Sequence, residues 1–275
     1  MKAAVFDYQC PADLQEARQA LQSADGLAKI MGGSQSLGPM LNLRLARPAT
    51  VVDVSRLPEL AQVRVEGSRI IVGGAVTHAA IEDGLHAPLQ GHPMHEIAAG
   101  IAYRAVRNRG TLGGSLAHAD PAADWIVTLT ALDAQLTLSS AGGERNIAMR
   151  DFMQAAYTTA LEAQEIIVSV SVPDARGGRW GYYKFCRKPG EFAEASAAVW
   201  QPPQGGAATL VLGALDGVPM QLPELALHIG REGSAAASRE RIEQAIRTAL
   251  PQRDAVDHRL HAVCLARALA QAGLA

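Results

Sequence analysis

Two glycine-rich turns about eighty residues apart constrain this chain more than any other feature. The first reads Ile30-Met31-Gly32-Gly33-Ser34-Gln35-Ser36-Leu37-Gly38, the second Arg109-Gly110-Thr111-Leu112-Gly113-Gly114-Ser115. Each adjoins an apolar segment and sets consecutive glycines beside hydroxyl residues, a composition that lets a backbone wrap its N–H groups around an anion without side-chain clash. One such turn reads as a plain loop; two suggest a divided cradle for a pyrophosphate.

Neither turn fits the common phosphate motifs. The chain has no Gly-x-x-x-x-Gly-Lys-Ser/Thr and no Gly-x-Gly-x-x-Gly leading into a helix, which argues against a P-loop NTPase and a Rossmann dinucleotide domain. At 275 residues and 48% hydrophobic, the chain can bury a substantial core in two or three lobes. A net charge of −2 gives no electrostatic footprint for nucleic acid or an anionic membrane. No apolar run approaches the about 20 residues that span a bilayer, and Met1-Lys2-Ala3-Ala4-Val5-Phe6 meets Asp7 where a signal peptide would continue its apolar core, so the expectation is a cytoplasmic protein. Cys10, Cys186 and Cys264 stand singly. An iron–sulfur cluster takes about four thiolates, so any such centre belongs on a partner.

The apolar positions Leu14, Ala17 and Leu21 predict a helix over 12–22 that Asp25-Gly26 ends. A strand over 27–31 feeds the first turn, and another over 51–54 completes a small α/β lobe of about residues 1–55. Arg69 to Val72 reads as a strand that turns at Gly73-Gly74 into a helix capped by Thr77; a strand-to-helix turn accounts for this third glycine pair without a third phosphate loop. A helix over 124–132, a strand over 134–139, a hairpin turn at Gly142-Gly143 and an alternating strand over 165–172 make a second, α+β lobe of residues 56–174. Beyond Pro173 and Gly177-Gly178, residues 175–275 read as a separate unit. Its strands fall at 181–185, 195–200 and 209–215, with a hairpin signal at Asp216-Gly217. Helices follow at 235–250, stopped by Pro251, and at 257–272.

Three longer matches accompany the turns: Leu43-Arg44-Leu45-Ala46-Arg47-Pro48 with Val52-Asp53-Val54, Arg107-Asn108 running into the second turn, and His118-Ala119-Asp120-Pro121-Ala122-Ala123-Asp124. Thr159-Ala160-Leu161, Glu165-Ile166-Ile167 and Tyr183-Lys184 extend them. On these residues the chain resembles the FAD-binding medium subunit, or middle domain, of molybdenum hydroxylases of the carbon monoxide dehydrogenase and xanthine dehydrogenase type. The resemblance covers nearly the whole chain. It implies a two-lobed FAD domain of the vanillyl-alcohol-oxidase type over 1–174, then a smaller α+β domain with a three-stranded sheet backed by helices.

The resemblance further implies non-covalent FAD, with Ile30, Met31, Gly32, Gly33, Ser34, Gln35, Ser36 and Leu37, and Thr111, Leu112, Gly113, Gly114 and Ser115, at the pyrophosphate and adenosine. In this reading the backbone amides of both turns donate, and a methyl group at position 33 or 114 meets the phosphate or forces an unfavourable φ. Gln35 stands where relatives commonly carry a histidine, which removes a site of covalent flavin attachment. Asp120 before Pro121 reads as a helix N-cap. Asp124 either favours the helix N-terminus or, by resemblance, binds the ribityl hydroxyls. Lys184 reads as a solvent-facing strand residue, or by resemblance as a cation beside the flavin that stabilises its anionic reduced form. Ile101, Ala102 and Ile167 match positions near flavin and adenine, although Ile101 and Ile167 also suit a core. His86, His92 and His95 lack helical zinc spacing and read as surface-loop histidines.

The implied function is electron transfer. A small subunit carries [2Fe-2S] clusters, a large subunit carries the molybdenum cofactor and selects the substrate, and this chain passes electrons through FAD to NAD, a quinone or oxygen. A dimer of heterotrimers is the implied assembly, and no side chain is assigned as acid, base, nucleophile or metal ligand. A stand-alone FAD oxidase is the alternative, and it requires a substrate pocket of its own.

Overall fold

The computed structural model describes residues 2–24 and 26–275. It begins with β1 (Asp7–Gln9), α1 (Leu14–Ser23), β2 (Ala28–Met31), α2 (Leu37–Asn42) and β3 (Thr50–Asp53), whose strands form an all-parallel sheet in the order β1-β3-β2. Asp13 caps α1 by accepting from the Glu16 amide, and the helix buries Ala17 and Leu21, as its spacing predicts, in a core shared with Val52 and Leu57. Asp25, half of the predicted stop, lies outside the described residues; Gly26 has the left-handed φ of 77° that suits a chain reversal.

The second lobe opens with the hairpin β4 (Val63–Glu66) and β5 (Arg69–Gly73). Its helices are α3 (His78–Glu82), α4 (Pro93–Gly100), α5 (Arg104–Arg107), α6 (Leu112–His118) and α7 (Asp124–Ala131). The hairpin β6 (Gln135–Ser140) and β7 (Gly143–Ala148), α8 (Met149–Phe152), the small pair β8 (Met153–Ala155) and β9 (Thr158–Thr159), and β10 (Ile166–Pro173) complete it. These strands form an antiparallel sheet in the order β4-β5-β10-β6-β7, with β10, the alternating Ile/Val run, at its centre.

The last sheet is antiparallel, β11 (Arg179–Phe185), β12 (Ala195–Gln201) and β13 (Thr209–Gly213), extended at one edge by the two-residue β14 (Met220–Gln221). Strand alternation gives it two apolar faces. Ala198, Trp200 and Val211 face α7, while Ala195, Ala197, Val199, Leu210 and Leu212 join a second core under α9 (Pro223–Glu232), α10 (Arg239–Ala249) and α11 (Ala255–Gln271). Every residue of α7 is buried, because the helix packs against the β12–β13 sheet and against α4, α6 and α8 of the second lobe.

Several sequence expectations change. The helix expected over 235–250 begins at Arg239, where the Ser238 side chain accepts from the Arg241 amide; before it, Gly233 at φ 65° ends α9, a helix the sequence reading omits. Asp120 does not cap α7. Its Oδ1 accepts from the Ala122 amide at 2.9 Å in a local turn, and Ala123 holds the cap position with no side-chain bond. His92 is no surface-loop residue: it is buried, Nδ1 accepts from the Met94 amide as the cap of α4, and Nε2 meets the Pro173 carbonyl at 3.0 Å. The strand expected to run to Leu215 ends at Gly213, where Ala214 turns left-handed.

Candidate functional site

The two glycine turns meet at the waist of a cavity of about 570 Å³ between the first two lobes. Gly33 packs so closely on the second turn that a Cβ there would lie 1.8 Å from the Arg109 carbonyl oxygen, and one at Gly32 would lie 2.6 Å from Thr111 Oγ1. Glycine at 33 is thus required by backbone contact between the turns, while a side chain at 32 would press on the Thr111 cap. This corrects the expectation that a methyl group at position 33 would meet the phosphate.

The first turn leaves its donors unused. Ser34 adopts a left-handed φ of 61°, Gln35 Nε2 donates to the Gly33 carbonyl at 2.9 Å, and the Gly38 amide donates to the Ser34 carbonyl at 3.0 Å. The amides of Gly33, Ser34, Gln35 and Ser36 have no protein acceptor among the described residues. With the Gly33, Ser34 and Ser36 carbonyls occupied and four N–H groups unpaired among the described residues, the turn is suited to an anion.

The second turn does the opposite. Leu112 N–H donates to Val76 at 3.0 Å, Gly113 N–H to Gly74 at 2.9 Å, Gly114 N–H to Thr111 Oγ1 at 3.1 Å and Ser115 N–H to the Thr111 carbonyl at 3.0 Å. These bonds exist because the segment is the first turn of α6, capped by Thr111. The expectation that amides from Thr111 to Ser115 share the anion fails for Leu112 to Ser115. The Gly73-Gly74 pair also does more than turn the chain into the Thr77-capped α3: a Cβ on Gly74 would lie 2.2 Å from the Ile167 carbonyl oxygen, so this glycine lets β10 and α6 close on one another.

Several ionisable groups at the cavity are held by one another. Asp124, the first residue of α7, accepts from the Tyr182 hydroxyl at 2.6 Å and from Lys184 Nζ at 2.8 Å; the ammonium also donates to the Gly100 carbonyl at 2.9 Å. Burial, then the Asp124 charge, push the Tyr182 phenol well above its usual range, which keeps it a neutral donor. Arg145 holds Glu165 through contacts of 2.6 and 2.7 Å and keeps it below the usual carboxylate range. His78 is buried, and its Nδ1 accepts from the Trp125 indole at 3.2 Å; desolvation, then Arg107, lower its pKa to about 4, so the proton sits on Nε2 in a neutral ring. Lys29 is the one Lys or Arg among the described residues lining the cavity, so backbone dipoles carry most of any attraction for an anion there.

Of the sequence-predicted residues, Ile30, Gly32, Gly33, Ser34, Gln35, Ser36, Leu37, Ile101, Ala102, Thr111, Gly113, Gly114, Ser115, Asp124 and Ile167 line this one cavity. Met31, Leu112 and Lys184 do not. Leu112 is fully buried in the second lobe's core, and Lys184 acts on the cavity through Asp124. The sequence reading misses His78, Tyr182 and the Gly190–Phe192 segment. Tyr182 had a signal, since it stands two residues before Lys184 and therefore on the same face of β11; His78 and the segment had none.

Comparison with known proteins agrees with this geometry. Residues 4–175 match the family described as the FAD binding domain in molybdopterin dehydrogenase. The chain is 38% identical over 199 residues to the 6-hydroxypseudooxynicotine dehydrogenase complex subunit alpha of Paenarthrobacter nicotinovorans, covering 72% of this chain and 67% of that one. It is 35% identical over 195 residues to the carbon monoxide dehydrogenase medium chain of Hydrogenophaga pseudoflava, covering 70% and 68%. Among solved structures, quinoline 2-oxidoreductase from Pseudomonas putida 86 superposes with a TM-score of 0.88 at 32% identity, over 99% of this chain and 98% of that one. The chain belongs to this family and is the FAD-binding medium subunit of a molybdenum hydroxylase-type oxidoreductase.

Proposed function

We infer that the cavity between the turns holds FAD without a covalent bond and that the chain relays electrons from [2Fe-2S] clusters of a small partner subunit to an external acceptor. FAD supplies two-electron and one-electron redox chemistry when bound. The observation that carries the reading is the row of four amides from Gly33 to Ser36, without protein acceptors among the described residues, in a turn that lines the cavity. A pyrophosphate needs such donors where water is excluded, and the chain offers them with a single lysine nearby.

The chain's own groups divide the remaining work. Ser34 and Ser36 bring hydroxyls to the anion, Gly32, Gly113 and Gly114 keep the turns thin beside it, and Thr111 and Ser115 belong to the α6 turn that holds the first turn in place. Ile101 and Ala102 form an apolar wall with Ile167, and Asp124 presents an ionised carboxylate whose charge Lys184 balances. Leu112 and Met31 support the turns from behind. Residues 1–174 form the cofactor domain and 175–275 a second domain that contributes Tyr182 and Lys184 across the junction. A large molybdenum-cofactor subunit and a small iron–sulfur subunit complete the complex, as a cytoplasmic dimer of heterotrimers. The family relationship, and relatives known as medium subunits or chains, support this assembly. Tyr103, Tyr157 and Phe192 are exposed around the cavity, the kind of apolar rim that a subunit interface covers.

Anaerobic stopped-flow spectroscopy on the native complex and on the isolated subunit tests the relay. Substrate should bleach flavin absorbance in the complex and leave the isolated FAD-loaded subunit unchanged. Rapid bleaching of the lone subunit would establish an independent oxidase instead.

A further inference from the structure

The corner at Ile101 and Ala102 is strained and held from behind. Ala102, a non-glycine residue, has a left-handed φ of 45°, a conformation that survives only where the surroundings impose it. The carbonyls of Ile101 and Ala102 both accept from Nη1 of Arg107, each at 2.9 Å. The opposite edge of that guanidinium is clamped by Glu82, with Nε to Oε2 at 2.7 Å and Nη2 to Oε1 at 2.9 Å. The Arg107 side chain is only 12% exposed and Glu82 19%. Arg107 itself does not line the cavity, whereas Ile101, Ala102 and its neighbour Val106 do.

A trans peptide sets its N–H opposite its C=O. Turning the two carbonyls toward Arg107 therefore turns the amides of Ala102 and Tyr103 away from it, and neither has a protein acceptor among the described residues. Gly190 closes the corner from the other side: a Cβ there would lie 2.7 Å from the Ala102 carbonyl oxygen. The same α5 that carries Arg107 also feeds the second glycine turn, since the Gly110 amide donates to the Val106 carbonyl at 2.7 Å.

We propose that Arg107, fixed by Glu82, is a positioning residue: it imposes the left-handed Ala102 corner and so aims the Ala102 amide toward the FAD that the cavity holds. The inference rests on FAD occupying the cavity. Planar arginine suits the task because one fork spans two carbonyls and a carboxylate together, which the single ammonium of lysine does not reproduce. Arg104, although it also contacts Glu82 at 3.1 Å, has its two-point pairing with Asp83 and is half exposed, so it secures Glu82 without touching the corner.

The test is FAD affinity, flavin absorption near 450 nm and flavin midpoint potential for the full chain and its Arg107→Lys and Glu82→Gln variants, with thermal unfolding in parallel. Arg107→Lys is expected to weaken FAD binding about tenfold or more, the scale on which loss of an orienting outer partner acts, and to shift the absorption band and the potential. Glu82→Gln should shift the same readouts in the same direction by less, and it serves as the deciding variant if Arg107→Lys does not fold. Variants that unfold at lower temperature yet keep wild-type affinity, band shape and potential would overturn the positioning role and leave a merely structural ion pair. Wild-type chain that binds no FAD would instead overturn the reading of the cavity.

Discussion

The two glycine turns look alike in sequence and differ in what their backbones still have to offer. Gly32 to Ser36 turns left-handed at Ser34, occupies the Gly33, Ser34 and Ser36 carbonyls and leaves four amides unpaired among the described residues; Leu112 to Ser115 spends its amides on Val76, Gly74 and the Thr111 cap. The first is therefore the donor and the second the platform that holds it. The lesson is that a Gly-Gly-Ser string reports backbone closeness, and the hydrogen-bond accounting of its neighbours decides whether that closeness serves a ligand or another segment.

The largest expected effect is at Gly33. Gly33→Ala drives a Cβ to 1.8 Å from the Arg109 carbonyl oxygen and must separate the turns. It should cost on the order of 3 kcal/mol in chemical denaturation and abolish stoichiometric FAD in the purified chain. The comparison is broken if Gly114→Ala does the same. There the added Cβ crowds the side-chain atom Thr111 Oγ1, at 2.8 Å, and reaches the Gly33 amide nitrogen only at the ordinary contact distance of 4.0 Å, so the expected loss is about 1 kcal/mol, the worth of the cap bond, with FAD retained.

Acid reaches the platform through His78. His78, whose backbone N–H donates to Gly110 at 2.9 Å, has its pKa lowered to about 4. A histidine whose folded pKa is depressed contributes full stability above its unfolded value of about 6.5, and that contribution is lost as pH falls from there toward about 4. The loss amounts to roughly 3 kcal/mol from His78 alone, and His92, also lowered by burial, adds in the same direction. Denaturation midpoints of wild type and His78→Gln between pH 7 and pH 4 check this: the variant should show the shallower slope. The smallest effect is expected from Thr111→Val, which removes the cap of α6 and leaves the Gly114 amide without its partner. A loss of about 1 kcal/mol and an FAD affinity within about tenfold of wild type are expected by titration. A loss of FAD comparable to that in Gly33→Ala would make the second turn a direct ligand-binding element.

Much of this was legible in the residues. Alternation marked β10, the spacing of Leu14, Ala17 and Leu21 marked α1, and the two turns marked the cavity, because local backbone preferences and the tertiary fold agree there. What stayed hidden depends on partners distant in sequence. Lys184 reads as a surface strand residue until Asp124 and Gly100 are brought to it, and His92 reads as a loop residue until Pro173 covers it. The second turn reads as a cradle because nothing in Thr111-Leu112-Gly113-Gly114-Ser115 announces that Val76 and Gly74 lie across from its amides. α9 escapes the sequence although Pro223 opens it and Leu225, Ala226 and Ile229 share its buried stripe, because the hairpin signal at Asp216-Gly217 draws the preceding segment toward strand and turn.

Residue-resolved amide hydrogen exchange on the full chain, with FAD removed and then restored, tests the division of labour most directly. Without FAD, the amides of Gly33 to Ser36 should exchange fast while those of Leu112 to Ser115 are already protected; restoring FAD should slow the first set strongly and change the second little. Protection of Gly33 to Ser36 in the absence of FAD, or a gain on FAD binding that falls mainly on Leu112 to Ser115, would contradict the assignment of donor and platform.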